Sequence, residues 1–209
     1  MSESTAIREP ERRGSRRGRA VHSPRKQAIL RAAARLFRER GYHGTSIRDI
    51  GAAAGVSSAA LYRHFANKDQ VLEIAVWDFA RHVAAASQEA LEGAVRSPRE
   101  SLRDLVHAFA RVALEERDFL AAYLYEARHL QPEVFAEMQR SDHAYRDLWT
   151  HQLRLGRSGL SETRARTMAR VAIMMTAHGC LEDPELDTEQ LTDLLTHMAV
   201  AAMFEERDE

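Results

Sequence analysis

The chain has 209 residues, enough for one or two domains and a sizeable core. Its net charge of −1 hides a split: residues 1–70 carry 15 Lys/Arg against 6 Asp/Glu, and the remainder carry 15 against 25, so a basic head suited to a polyanion precedes an acidic body. The single cysteine, Cys180, excludes an intrachain disulfide framework and a thiolate metal cluster, and without a run of about 18 apolar residues no transmembrane helix is expected.

Residues 1–23 are rich in Arg, Ser, Glu and Gly and poor in large apolar side chains, the composition of a disordered arm. The arm carries Arg12, Arg13, Arg16, Arg17 and Arg19. No apolar stretch follows this basic start, so a secretory signal is not expected and the expected location is the cytoplasm. Ser23 suits a cap and Pro24 a first helical position; Ile29, Ala33, Leu36 and Phe37 then recur at helical spacing until Gly41. Thr45 or Ser46 caps a second helix, with Ile47, Ile50 and Ala54 inward and Gly55 at its end. A third helix runs from Ser57 or Ser58 to Phe65. Three short helices, the last two joined by a Gly turn, form the helix-turn-helix arrangement.

Asn67 or Lys68 opens a long helix that passes Ala90. Ser97-Pro98-Arg99-Glu100 combines a cap, a Pro at the first position and a Glu at the third, and Leu102, Leu105, Val106, Phe109, Val112 and Ala113 line the inner face that follows. Further helices are predicted over residues 118–130, from Pro132 to Leu155, from Ser161 to His178, and from Asp187 or Thr188 to Glu205. No alternating strand pattern is present. The expected fold is all-α: an arm over 1–23, a basic three-helix module over 24–70, and a larger helical body over 71–209.

With Leu61 and Phe65 inward on the third helix, a rotation of about 100° per residue points Ala59 and Arg63 outward, flanked by Ala60 and Tyr62, with Ser58 near the N-terminal edge. Small residues at the start of such a helix allow close approach to the major groove. Ser58 suits either base pair, Ala59 suits a thymine methyl, and Arg63 suits guanine O6 and N7 or a phosphate. The Tyr62 hydroxyl suits a phosphate, and His64 lies on the same surface. Thr45 at the start of the second helix, and Lys68 at the start of the fourth, match phosphate contacts that position without reading sequence. Arg16, Arg17 and Arg19 of the arm suit the backbone or a minor groove.

Residues 25–72 resemble the N-terminal domain of the TetR (tetracycline repressor) family of transcription regulators. The resemblance lies in Ile29-Leu30-Arg31-Ala32-Ala33, Leu36-Phe37, Gly41-Tyr42, Gly44-Thr45-Ser46-Ile47-Arg48-Asp49-Ile50, Gly55-Val56-Ser57, Leu61-Tyr62-Arg63-His64-Phe65 and Lys68-Asp69. It implies about nine helices in two domains and a homodimer through a four-helix bundle of the last two helices, here about 161–179 and 188–205. It implies phosphate contacts by Thr45, Tyr62 and Lys68, with Ser57, Ser58, Ala59 and Arg63 facing bases. The implied partners are a palindromic double-stranded DNA operator and a small effector. One departure is Ala59, where many members have Gly.

In the body, Phe109, Tyr123, Tyr125, Met138, Trp149, Met174 and Met175 are candidate pocket residues, with plain core packing the competing reading for each. Glu126, Arg128 and His129 are polar handles or a solvated face. The expected ligand is apolar or amphipathic; acyl-CoA thioesters, steroids and aromatic drugs all fit. Met168, Val171, Ala172 and Met175, then Leu191, Leu194, Leu195, Met198 and Ala202, form apolar stripes for a partner subunit. The ten histidines show no tight ligand spacing, so neither a metal nor another cofactor is expected. The chain lacks a nucleophile elbow, a phosphate loop and a dinucleotide fingerprint, which argues against an enzyme. The expectation is a ligand-responsive dimeric repressor; the alternative is a ligand-independent, nucleoid-structuring DNA-binding protein.

Overall fold

The computed structural model describes residues 22–92, 96–182 and 185–205. Among them are nine α-helices: α1 (Pro24–Arg40), α2 (Ile47–Ala53), α3 (Ser58–Tyr62), α4 (Lys68–Leu91), α5 (Pro98–Glu115), α6 (Arg117–Ala121), α7 (Pro132–Gly156), α8 (Glu162–Gly179) and α9 (Thr188–Phe204). No helix is long and apolar enough to cross a membrane among the described residues.

The helices begin where side chains satisfy their first free N–H groups. Ser23, Ser46, Ser57, Asn67, Ser97, Ser161 and Asp187 all accept from a backbone N–H of the first turn. Full capping boxes form at Ser46–Asp49, Ser97–Glu100 and Asp187–Gln190. At Asp49 the hydrogen bonds from Ser46 hold the carboxyl below its usual range.

Two apolar cores divide the molecule. One joins α1, α2 and α3 through Ile29, Leu36, Phe37, Ile50, Leu61 and Phe65, and is sealed by Val71, Leu72 and Val76 of α4. Ala122, Ala127, Leu130 and Met138 of the body close its far side. The other core gathers α4 beyond Phe79 with α5, α7, α8 and α9, around Leu102, Leu105, Phe109, Trp149 and Leu153. Helix α4 therefore has its first half in the head core and its second half in the body core.

The predicted helix over 118–130 is not continuous. Helix α6 ends at Ala121, the chain widens into a π-helical turn over Ala122–Glu126, and a 3-10 turn follows over Ala127–His129. The widened turn inserts an extra residue into the winding, so the side chains around it serve two different partners. Tyr123 faces the body and Glu126 faces the head.

Candidate nucleic-acid interface and effector cavity

The turn between α2 and α3 depends on two glycines. Gly55 has φ +66°, a left-handed backbone that glycine adopts without a steric cost. A Cβ on Gly51 would lie 2.9 Å from the Val56 carbonyl oxygen, so the chain can close over α2 only because that position is bare. The Val56 amide donates to the Gly51 carbonyl at 2.9 Å, and the Ala60 amide donates to Ser57 Oγ at 3.1 Å. These contacts fix α3 against the core through Leu61 and Phe65, both buried.

Fixed this way, α3 turns Ala59, Tyr62 and Arg63 to solvent, with Ser57 exposed at its cap and Ser58 and His64 half-buried. Tyr62 is 56% exposed, which leaves its ring and hydroxyl open to a surface contact. Ala60 departs from the expected outward flank: it is buried beside Leu61, because so short a helix needs a wide inner side to be held at all.

Thr45 and Lys68 do not present their polar groups outward. The buried Thr45 hydroxyl donates to the carbonyls of Leu36 (3.2 Å) and Gly41 (2.9 Å), and Ser46 is the residue that caps α2. Lys68 Nζ donates to the carbonyls of Tyr42 (2.8 Å) and Thr45 (2.9 Å) and lies 3.9 Å from the centre of the Tyr42 ring. The loop leaving α1 carries carbonyls that need donors, and these two side chains supply them. Next to this brace, Ser46 and Arg48 are exposed at the start of α2. Arg16, Arg17 and Arg19 lie outside the described residues.

The same loop is tied to the body. The Tyr42 amide donates to Glu126 Oε2 at 3.0 Å in a buried setting, and the Tyr42 hydroxyl is hydrogen-bonded to Asp69. The His129 ring stacks on Tyr42 with centroids 4.9 Å apart and meets His43 edge-on at 4.6 Å. Burial, and secondarily His43, lowers the His129 pKa. Arg38 of α1 adds an ion pair to Asp118 of α6 at 3.1 Å. Glu126 is therefore a buried joint between head and body, not the solvated face that its polar neighbours suggest.

A cavity of about 290 Å³ opens between α4, α5, α7 and α8. Its apolar wall includes Phe79, Val83, Phe109, Leu120, Ile173 and Met174. Tyr123, from the π-helical turn, lines it and is hydrogen-bonded through its hydroxyl to Asp142 of α7. Burial pushes the Asp142 carboxyl above its usual range.

Three of the predicted pocket residues, Phe109, Tyr123 and Met174, line this cavity. Four do not. Tyr125 is exposed on the outer surface, with its ring edge-on to His178 at 6.2 Å. Met138 packs in the head core, and Trp149 is wholly buried behind the rings of Phe109 and Tyr145. Met175 packs on the body core instead, since adjacent helical positions point about 100° apart and cannot share one cavity with Met174. The polar lining missed by sequence reasoning is Ser141, Asp142, Tyr145 and Arg146 on α7 and Arg170 on α8. Asp142, Tyr145 and Arg146 stand at i, i+3 and i+4, a one-face spacing that the sequence does carry. No group of three or more His, Cys, Asp or Glu residues is placed to hold a metal ion among the described residues.

The predicted stripes of α8 and α9 separate into two faces. Ala172, Leu191 and Leu195 are buried in the chain's own core, and Met168 and Met175 are half-buried against it. Val171, Leu194, Met198 and Ala202 are exposed.

This architecture has close counterparts among known proteins. Residues 29–75 match the model for bacterial regulatory proteins of the tetR family, and residues 95–203 match the tetracyclin repressor-like C-terminal domain. The HTH-type transcriptional repressor KstR2 of Mycolicibacterium smegmatis is 31% identical over 133 residues, covering 63% of this chain and 64% of the relative, so the chain spans just under two thirds of that relative's length. The HTH-type transcriptional activator FasR of the same organism is 32% identical over 173 residues, covering 79% and 77%. Among solved structures, AibR in complex with isovaleryl coenzyme A and operator DNA aligns with a TM-score of 0.68 at 25% identity, covering 83% of this chain and 97% of that one. With the matched C-terminal model alone spanning more than half of the residues, the chain belongs to the tetR family of bacterial regulatory proteins.

Proposed function

We propose that the protein is a dimeric, sequence-specific DNA-binding regulator of transcription, a repressor released from a palindromic operator by a small apolar or amphipathic ligand. The observation that carries this reading is the exposed Ala59–Tyr62–Arg63 surface of α3, held rigidly by the α2–α3 turn on a basic head. On DNA, Ser57, Ser58, Ala59 and Arg63 face bases, Tyr62 meets a phosphate and His64 flanks them. Ser46 and Arg48 take the phosphate position at the start of α2. Thr45 and Lys68 act one step back, by holding the loop that aims α2. Operator DNA as a partner puts the site of action in the cytoplasm, and the chain acts by binding rather than by catalysis.

The reading of control as repression draws support from KstR2, named a repressor; FasR, named an activator, is the contrary case. A ligand acts only if it binds one arrangement of the two heads better than another. The π-helical turn supplies a physical link: Tyr123 lines the cavity, and Glu126, three residues on, holds the head loop. The exposed Val171, Leu194, Met198 and Ala202 of α8 and α9 provide the face that joins two copies, which sets the spacing of two half-sites.

The test is a pull-down of fragmented genomic DNA from the source organism by purified protein, followed by sequencing. Enrichment at a few discrete promoters is expected. Even coverage of the genome would replace this reading with the nucleoid-structuring one.

A further inference from the structure

The cavity also carries information about the charge of its ligand. Its apolar wall would hold a hydrocarbon or ring body, but its volume of about 290 Å³ sits at the small end of ligand pockets, so a large polar head must remain at the mouth. The charged residues that line it are Asp142, Arg146 and Arg170. Asp142 is already engaged by the Tyr123 hydroxyl. Neither Arg146 nor Arg170 takes part in an ion pair among the described residues, and nor do Arg140 and Arg164 on the same two helices, while Arg154 pairs with Glu162 and Arg166 with both Asp147 and Glu162; what sets Arg146 and Arg170 apart is that they line the cavity, where the charge of Arg146 also acts on Asp142. Two guanidinium groups therefore border an apolar cavity with one engaged carboxylate beside them.

Resting on the reading of this cavity as the effector site, we propose that the effector is an amphipathic anion, with its apolar body among Phe79, Phe109, Ile173 and Met174 and its carboxylate or phosphate head on Arg146 and Arg170. A guanidinium offers two parallel donors that match either head group; Arg146 is half-buried, which strengthens its pairing relative to open solvent, and Arg170 is exposed. A cationic amphiphile meets repulsion from both arginines. A neutral one gains only the apolar contact.

The experiment is calorimetric titration of the full chain with four probes of equal chain length: decanoate, decanoyl-CoA, decanol and decyltrimethylammonium. Each is also added to the protein bound to its selected duplex, to read DNA release. At least one anionic probe should bind about tenfold or more tightly than decanol, the margin expected of a charge-assisted bidentate contact. The doubly substituted protein, Arg146→Gln with Arg170→Gln, should lose that margin and keep its affinity for decanol; Arg154→Gln should keep both. Whether decanoate or decanoyl-CoA gains the margin tells a carboxylate head from a phosphorylated one. Equal or tighter binding of decanol or of the ammonium, or a margin that survives the double substitution, overturns the proposal. If decanol alone binds and releases DNA, the cavity is still the effector site and only the charge assignment fails. If no probe binds while DNA binding persists, the effector reading of this cavity fails with it.

Discussion

Tyr62 and Arg63 stand side by side on α3, yet their substitutions should have different signatures. On the proposed reading Tyr62→Phe takes away the hydroxyl offered to a phosphate, a hydrogen bond worth about 1.5–3 kcal/mol when the acceptor is charged, and should weaken binding to all duplexes alike. Arg63→Ala should instead change base preference at one position, by about 1–3 kcal/mol. Fluorescence anisotropy on a panel of single-base variants separates the two; a uniform loss for Arg63→Ala would make it a phosphate contact. Glu126 is the residue whose role differs most from its sequence context. Glu126→Ala leaves the buried Tyr42 amide without an acceptor, and should lower stability in urea by about 1–3 kcal/mol and blunt ligand-induced release of DNA. Unchanged stability and unchanged release would remove it from the link. Such roles were not legible in advance because they depend on tertiary partners. A Thr and a Lys near helix starts look like phosphate ligands until the carbonyls of Leu36, Gly41 and Tyr42 are brought to them.

Helices were legible where local chemistry alone decides them. Ser23-Pro24, Ser97-Pro98 and Asp187 mark starts that need no distant contact, and the observed α1, α5 and α9 begin there. The segment over 118–130 departs from the continuous helix that its spacing predicts because tertiary contacts rewind it, with Tyr123 drawn to Asp142 and Glu126 to Tyr42. On α8 and α9 the stripes divide between buried and exposed positions, and spacing does not tell one from the other when both are apolar. That distinction yields a paired prediction. Leu194→Glu puts a charge on the exposed face and should shift the protein from dimer to monomer in light scattering while leaving it folded. Leu195→Ala, one residue on but buried, should cost about 2–5 kcal/mol of stability by opening a cavity. A monomeric wild type would overturn the dimer itself, and a Leu194→Glu protein that stays dimeric would move the subunit contact elsewhere.

At the level of the whole molecule, the basic first third and acidic remainder fit one end that meets DNA and another that does not. The arginine-rich residues 1–20 belong to this scale, since they add to the positive charge of the head. Deleting residues 1–20 should lower affinity and flatten the dependence on salt, because each lost phosphate contact removes about 0.9 from the logarithmic slope. An unchanged slope would make the arm a bystander. The connection between cavity and head also belongs here: α4 spans both cores, and the π-helical turn touches both. The most direct measurement of the central claim is selection of bound duplexes from a random DNA library by the purified protein at near-physiological salt. A palindromic consensus, with two half-sites spaced for a dimer, is the predicted result. Folded protein that enriches no sequence over bulk DNA would contradict it.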